Sequence, residues 1–334
     1  MHPWNGRDDA TPVPDRPRIK PWYRVVEAGE ALVLEHGQTA VVFEGRAARR
    51  LLPAMLPLLD GTRPTGEIIE ELGAGTADGV RHALVTLHER GLLLDGPGLD
   101  PREPAGVVEA VGLLASLAPG SRPEELRQTL AEAVVEILGS SDVVPPLVEL
   151  LRASGVGSVA PGCWDTSAEP GDGRLVVVAP NGSEGADVVR WNRRVVDGGA
   201  VWLQVLPFDG RFAAIGPLYV PGETCCFECY RLRRQAACGY AAEFPAIEDV
   251  HLAAPAGPAL NATVAGVTAS LVLRWLAHGD HHLPGSFHAC EGAGTAISQH
   301  RVYRVPRCPV CSGVDDVAPP LPWYKETTAA VMVP

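Results

Sequence analysis

Two Cys-x-x-Cys pairs constrain this chain more than any other feature. "CFEC" supplies Cys226 and Cys229, and "CPVC" supplies Cys308 and Cys311. Each pair puts two thiolates on one knuckle, and two knuckles supply the four sulfur ligands of a tetrahedral zinc. The chain must therefore fold so that two distant loops meet, which closes a long loop whose closure entropy is otherwise unfavourable. Four protein ligands leave no open coordination position, so the spacing predicts a structural zinc rather than a catalytic one. Cys225 adjoins the first pair, but only Cys226 has the two-residue spacing to Cys229. Cys163, Cys238 and Cys290 stand alone and read as small, mostly buried residues. Cys238, after the basic run Arg231 to Arg234, comes nearest to a reactive thiolate. His278, His281 and His282 surround a helix end, where solvated or capping histidines are expected.

Paired Cys-x-x-Cys motifs favour zinc over disulfides where thiols are kept reduced. The first eighteen residues contain no apolar core of the kind a secretory signal needs, and the expectation is a cytoplasmic protein. The formal net charge is −12 and the isoelectric point about 5.3. That balance argues against nucleic-acid binding and against anionic membranes, both of which need a basic face. Ala259 to Ala277 is the most apolar stretch, yet it holds Asn261 and Arg274 and reads as a buried helix, so no membrane is expected as a partner.

Residues 1–19 carry four prolines and no periodicity, and read as a flexible tail. Three short β-type runs follow: Tyr23 to Glu27, Ala31 to Glu35 and Thr39 to Phe43, with Gly29 and Gly37 as tight turns. Helical spacing then places Leu51, Leu52, Met55, Leu56 and Leu59 on one stripe, interrupted by Pro53 and Pro57. A second helix is expected from Thr65 to Gly73 and a third from Thr76 to Gly91, each with its threonine as cap. Leu92 to Asp95 reads as a wing strand. Three strands, three helices and a wing describe a winged-helix domain over residues 20–98, followed by a helical linker region over 99–132.

Residues 133–313 alternate strands with helices, which predicts an α/β domain with a mostly parallel sheet. Strands are expected at Val134 to Leu138, Gly157 to Ala160, Arg174 to Ala179, Val201 to Leu206 and Ala213 to Val220. Residues 314–334 read as an extended tail. The first strand of a nucleotide-binding α/β domain runs into a glycine-rich turn whose backbone N–H groups hold phosphate. Here Gly139 is the only glycine in that turn, and Asp142 brings negative charge to it. With Asp165 near the second strand and Asn181 after the third, Gly139 marks a vestigial nucleotide site. ATP use is not expected.

The second domain resembles the ThiF-like fold of ubiquitin-activating-type adenylyltransferases. The resemblance rests on "RLVVVAPNGSEGADVVRWN", "GPLYVPGETCCFEC" and "CPVC". Adenylating members have a glycine run after the first strand, an Asp–Asn pair after the third and an arginine finger. Here Pro180-Asn181 stands for the pair, Asn192 recurs further along the helix, and Val188 stands where the arginine would be. The whole chain, including "RPRIKPWYRVVEAGEALVLEHGQTAVVFEG" and "LLPLLDGTRP", resembles the ocin-ThiF-like cyclodehydratase partners of azole and thiopeptide ribosomal-peptide pathways. That resemblance implies an N-terminal recognition element that binds a precursor's leader peptide as an added strand. It also implies a separate ATP-dependent YcaO cyclodehydratase as partner, which forms thiazoline or oxazoline from Cys, Ser or Thr. A homodimer is implied as well.

The expected function is therefore a non-catalytic, leader-binding subunit. Strand addition needs an exposed edge and a groove wall, for which Thr39, Ala40, Val41, Val42 and Phe43 and the third helix are the candidates. Alternation puts Thr39, Val41 and Phe43 on one face and Ala40 and Val42 on the other, without saying which is core. Arg81 and Arg90 are candidates to pair with acidic leader residues. DNA binding, the common use of a winged helix, is disfavoured because the third helix offers only those two arginines, with Asp78 and Glu89 beside them. The rival reading is an ATP-dependent adenylyltransferase that activates a carboxylate or amide itself. A redox role for the Cys-x-x-Cys pairs is a third.

Overall fold

The computed structural model describes residues 13–118, 120–165, 174–197, 199–248, 254, 256–292 and 296–312. The expected tail at 314–334 and most of that at 1–19 lie outside them. In chain order the elements begin with strands β1 (Pro17–Ile19), β2 (Arg24–Ala28), β3 (Ala31–His36) and β4 (Thr39–Glu44). Helix α1 (Arg46–Met55) follows, then a 3-10 turn at Leu56–Leu58, α2 (Thr65–Leu72), α3 (Ala77–Glu89), β5 (Leu93–Asp95), α4 (Ala105–Leu117) and α5 (Pro123–Glu132). The remainder is β6 (Val134–Leu138), α6 (Val144–Ala153), β7 (Ser158–Pro161), β8 (Leu175–Val178), α7 (Gly185–Val195), β9 (Val201–Leu206) and β10 (Phe212–Tyr219), then α8 (Phe227–Ala237), α9 (Phe244–Glu248), α10 (Pro258–His278), β11 (Ser286–Glu291) and β12 (Ile297–Arg301).

Backbone packing divides the chain into two units that interleave in sequence. One runs to Val135 and takes in Pro145–Ala160 and Ala265–Asp280. The other holds Glu136–Val144, Pro161–Val264 and the residues from His281 onward. Most of helix α10 belongs to the first unit, where His278 Nε2 meets the Leu114 carbonyl at 3.0 Å. By length and apolarity α10 could cross a membrane. It buries Val264, Ala265, Thr268, Ala269, Val272 and Leu273, and pairs Arg274 with Asp280.

In the first unit β2, β3 and β4 form an antiparallel meander. Its two hairpins turn at Gly29 and Gly37, whose φ angles of 61° and 63° suit glycine. Leu32 and Leu34 of β3 face a core with Leu52, Met55, Ile68, Leu84 and Leu87. Alternation on β4 resolves accordingly. Val41 and Phe43 pack against that core, while Ala40, Val42 and Glu44 are exposed. Part of the expected tail is ordered: β1 pairs with β5, so the expected wing strand joins Pro17–Ile19 rather than the meander. Helix α1 continues through Pro53, and the chain then tightens into the 3-10 turn that contains Pro57. Neither Thr65 nor Thr76 caps its helix through its side chain.

The larger sheet has the order β12-β11-β10-β9-β8-β6-β7. Its β8–β9 pair is parallel, but β9–β10, β10–β11 and β11–β12 are antiparallel. The sheet is thus mixed rather than mostly parallel. The antiparallel part follows β9, where β9 and β10 are joined by a short connection with no crossover helix. The fold is α/β: a small sheet-and-helix N-terminal region, followed by a Rossmann-like mixed sheet.

Candidate functional site

Strand β10 delivers the chain to the first cysteine knuckle, and the loop after β12 carries the second. Cys226 stands at the start of α8 and Cys229 in its first turn, where the helix N-terminus favours thiolate. The turn is anchored by Asn192 of α7, which is buried and whose Oδ1 accepts the Phe227 N–H at 2.9 Å. Asn192 therefore supports this knuckle. The second knuckle is pulled in by reciprocal arginines. Arg233 Nε on α8 donates to the Tyr303 carbonyl at 2.7 Å, and Arg304 Nη2 donates to the Gly222 carbonyl at 2.8 Å.

The four sulfurs of Cys226, Cys229, Cys308 and Cys311 all lie within 4.8 Å of one another. Measured contacts are 3.9 Å for Cys226–Cys229, 3.6 Å for Cys226–Cys308 and 3.4 Å for Cys229–Cys311. Sulfurs about 2.3 Å from a tetrahedral zinc stand about 3.8 Å apart, whereas a disulfide is about 2.05 Å long. The donor set fits zinc and leaves no position for substrate. Val305 N–H donates to Cys229 Sγ at 3.3 Å, an amide–sulfur bond that stabilises thiolate. The hydrogen bond from Cys226 holds Cys229 below the usual thiol range, and the same bond, together with burial, drives Cys226 up. Cys225 is buried but outside the cluster, and burial pushes its thiol up to about 12. A cavity of about 780 Å³ opens beside the knuckles, walled by Trp202, Tyr219, Cys225 and Arg304.

The other predicted residues fall in separate places. Gly139 ends β6 with φ 99°, and a Cβ there would meet the Ala179 carbonyl at 2.3 Å. That close approach sets the Gly139–Ser140 turn against Asn181, whose Nδ2 donates to Ser140 Oγ at 2.7 Å. Asp165 is exposed in the turn after β7, and Val188 is in the core. Asp280, His281 and His282 cluster within 4.8 Å; His278 instead bonds Leu114. Cys163 is exposed, Cys238 Sγ contacts the Gln235 carbonyl, and Cys290 is buried on β11.

In the first unit, β4 is an edge of its sheet among the described residues. His36 pairs with Thr39 across the two-residue turn, so alternate backbone groups point inward at Thr39, Val41 and Phe43. The outward backbone groups belong to Ala40, Val42 and Glu44, all of which are exposed. Helix α1 packs on β3 and β4, and α3 packs on α1. Arg81 is exposed and paired with Asp78 at 3.4 Å, and Arg90 is exposed at the end of α3.

No protein-family model and no curated protein matches this chain. Solved structures do. A heterocyclase in complex with substrate and cofactor matches with a TM-score of 0.67 at 22% identity, covering 88% of this chain and 39% of that one. The heterocyclase TruD matches with 0.67 at 21% identity, over 89% of this chain and 43% of its own. The E. coli protein MccB matches with 0.63 at 16% identity, over 88% of this chain and 96% of its own. The fold is shared with MccB and TruD. The chain spans about two fifths of the heterocyclase chains and nearly all of MccB.

Sequence reasoning did not single out Asn192 as a knuckle support, nor Arg233 and Arg304 as clamps, since each acts on a backbone group distant in the chain. Glu184, which takes the N–H groups of Ser140 and Asn181, was also missed.

Proposed function

We propose that this protein is a non-catalytic, leader-binding subunit that presents a ribosomal precursor peptide to a separate ATP-dependent YcaO cyclodehydratase. The observation that carries this reading is the open β4 edge on a small N-terminal sheet, in a chain whose α/β fold is that of a heterocyclase and of MccB. The leader would add to β4 through the outward backbone groups of Ala40, Val42 and Glu44. Residues 20–98 form the recognition element in this reading, and 133–313 the ThiF-like domain that carries the core peptide. What the heterocyclase chains contain beyond the matched part would be supplied by the YcaO protein, with thiazoline or oxazoline as the product class. Zinc at Cys226, Cys229, Cys308 and Cys311 is structural, and the protein works in the cytoplasm as a homodimer.

MccB favours a second reading, since it has been crystallised with ATP and with MccA-N7isoASN and matches over nearly its whole length. Under it this chain would adenylate a carboxylate or amide itself. Titration of the isolated protein against the precursor peptide, with and without its leader, tests the first reading. Affinity that survives leader removal would overturn it. Pyrophosphate exchange with ATP by the isolated protein would establish the second.

A further inference from the structure

The turn after β6 stands where an α/β nucleotide-binding domain holds phosphate on backbone N–H groups. It already holds an anion. Glu184 Oε2 accepts the Ser140 N–H at 3.0 Å and the Asn181 N–H at 2.7 Å, and Ser140 Oγ donates to Glu184 Oε1 at 3.2 Å. We propose that the Glu184 carboxylate is a resident anion, filling the oxyanion position between Ser140 and Asn181 and barring inorganic or nucleotide phosphate from it.

The simpler reading is a local turn brace. Asn181 Oδ1 accepts from Ser183 N–H at 2.7 Å, and Glu184 reaches back to Asn181 N–H, a reciprocal pair in the turn that precedes α7. A turn brace accounts for that half of the geometry alone. It gives no reason for the same carboxylate to take the N–H of Ser140, 44 residues earlier. The convergence comes from the backbone: Gly139 packs against Ala179, and Asn181 Nδ2 locks Ser140 Oγ. A second observation at the turn points to an anion-binding position. Ser141 is more than nine-tenths buried, and its Oγ has no hydrogen-bond partner. The adjoining cavity, lined by Ser141, Asp142, Asn181 and Phe208, is about 130 Å³, below the several hundred Å³ of ordinary ligand pockets. Carboxylate and phosphate both accept charge-assisted bonds from convergent N–H groups, so either can satisfy the turn, but not both.

The inference rests on reading this turn as a lost phosphate loop, and its test is separate from the test of function. Glu184→Ala and Glu184→Gln would be melted in inorganic phosphate and in sodium chloride of equal ionic strength, beside the natural chain. The expected result is a lowered midpoint for Glu184→Ala that phosphate restores, with phosphate binding at least about tenfold tighter than in the natural chain. Glu184→Gln, which keeps an acceptor oxygen, should respond in the same direction but less. Equal phosphate responses in all three proteins overturn the proposal, as does a Glu184→Ala midpoint unchanged from the natural one. Should Glu184→Ala not fold, Glu184→Gln decides by the same comparison. Pyrophosphate exchange by the natural chain would overturn the non-adenylating function, whatever the phosphate responses are.

Discussion

The sulfur of Cys226 lies 3.6 Å from that of Cys308, although 82 positions separate them in the chain. The second knuckle is held there by packing of Val302, Val305 and Cys308 in the core, by the Val305 N–H to Cys229 Sγ and by the arginines that bind its neighbours. Replacing Cys226 or Cys308 with serine should abolish a one-to-one zinc content and sharply reduce soluble yield. Zinc binding by such sites is worth about 10–16 kcal/mol, comparable to the whole stability of a domain, about 5–15 kcal/mol. Metal analysis with thermal melting checks this. Intact zinc stoichiometry in Cys308→Ser would refute the ligand assignment.

Arg233 and Arg304 hold the backbones of the two knuckles in opposite directions. Alanine at either position should leave zinc content unchanged while lowering the melting midpoint by about 2–4 °C. Loss of metal in either variant would mean that the arginines form the site rather than brace it.

On β4 the N–H of Val42 points outward by register, and its side chain is 53% exposed. Proline there removes a donor from the edge without removing a sheet bond. Leader-peptide affinity should fall at least about tenfold, or about 1.4 kcal/mol, with little change in melting. Val25→Pro, on the opposite edge, should leave affinity intact, and equal losses for both would argue against β4 as the docking edge.

Thiol reactivity should follow burial. Burial raises Cys225 to about 12, so at about pH 8 it remains a protonated thiol and a poor nucleophile. Burial also raises Cys290. Iodoacetamide on the native protein should label exposed Cys163 before either, as read by peptide mass mapping. Early labelling of Cys225 would contradict its placement.

The elements whose hydrophobic period is strong were legible in advance. Val134–Leu138 and Val201–Leu206 have the expected limits, because their apolar spacing serves a core directly. Strand β12, "ISQHR", is exposed along its length and carries no such signal. Strand pairing in the larger sheet was also invisible, since which neighbour a strand takes depends on connections that cross the chain.

Residue types and spacing alone determined that four cysteines would have to meet, that the turn at Gly139 lacks a phosphate-loop composition, and that an α/β fold follows a small region of strands and helices. These are local facts, written in motifs a few residues long. Only the tertiary structure decided that Asn192 serves the knuckle, that Val41 rather than Val42 faces the core, and that the carboxylate of Glu184 fills the turn. Each depends on a hydrogen bond or a packing face supplied from far along the chain, and no window of sequence contains both partners.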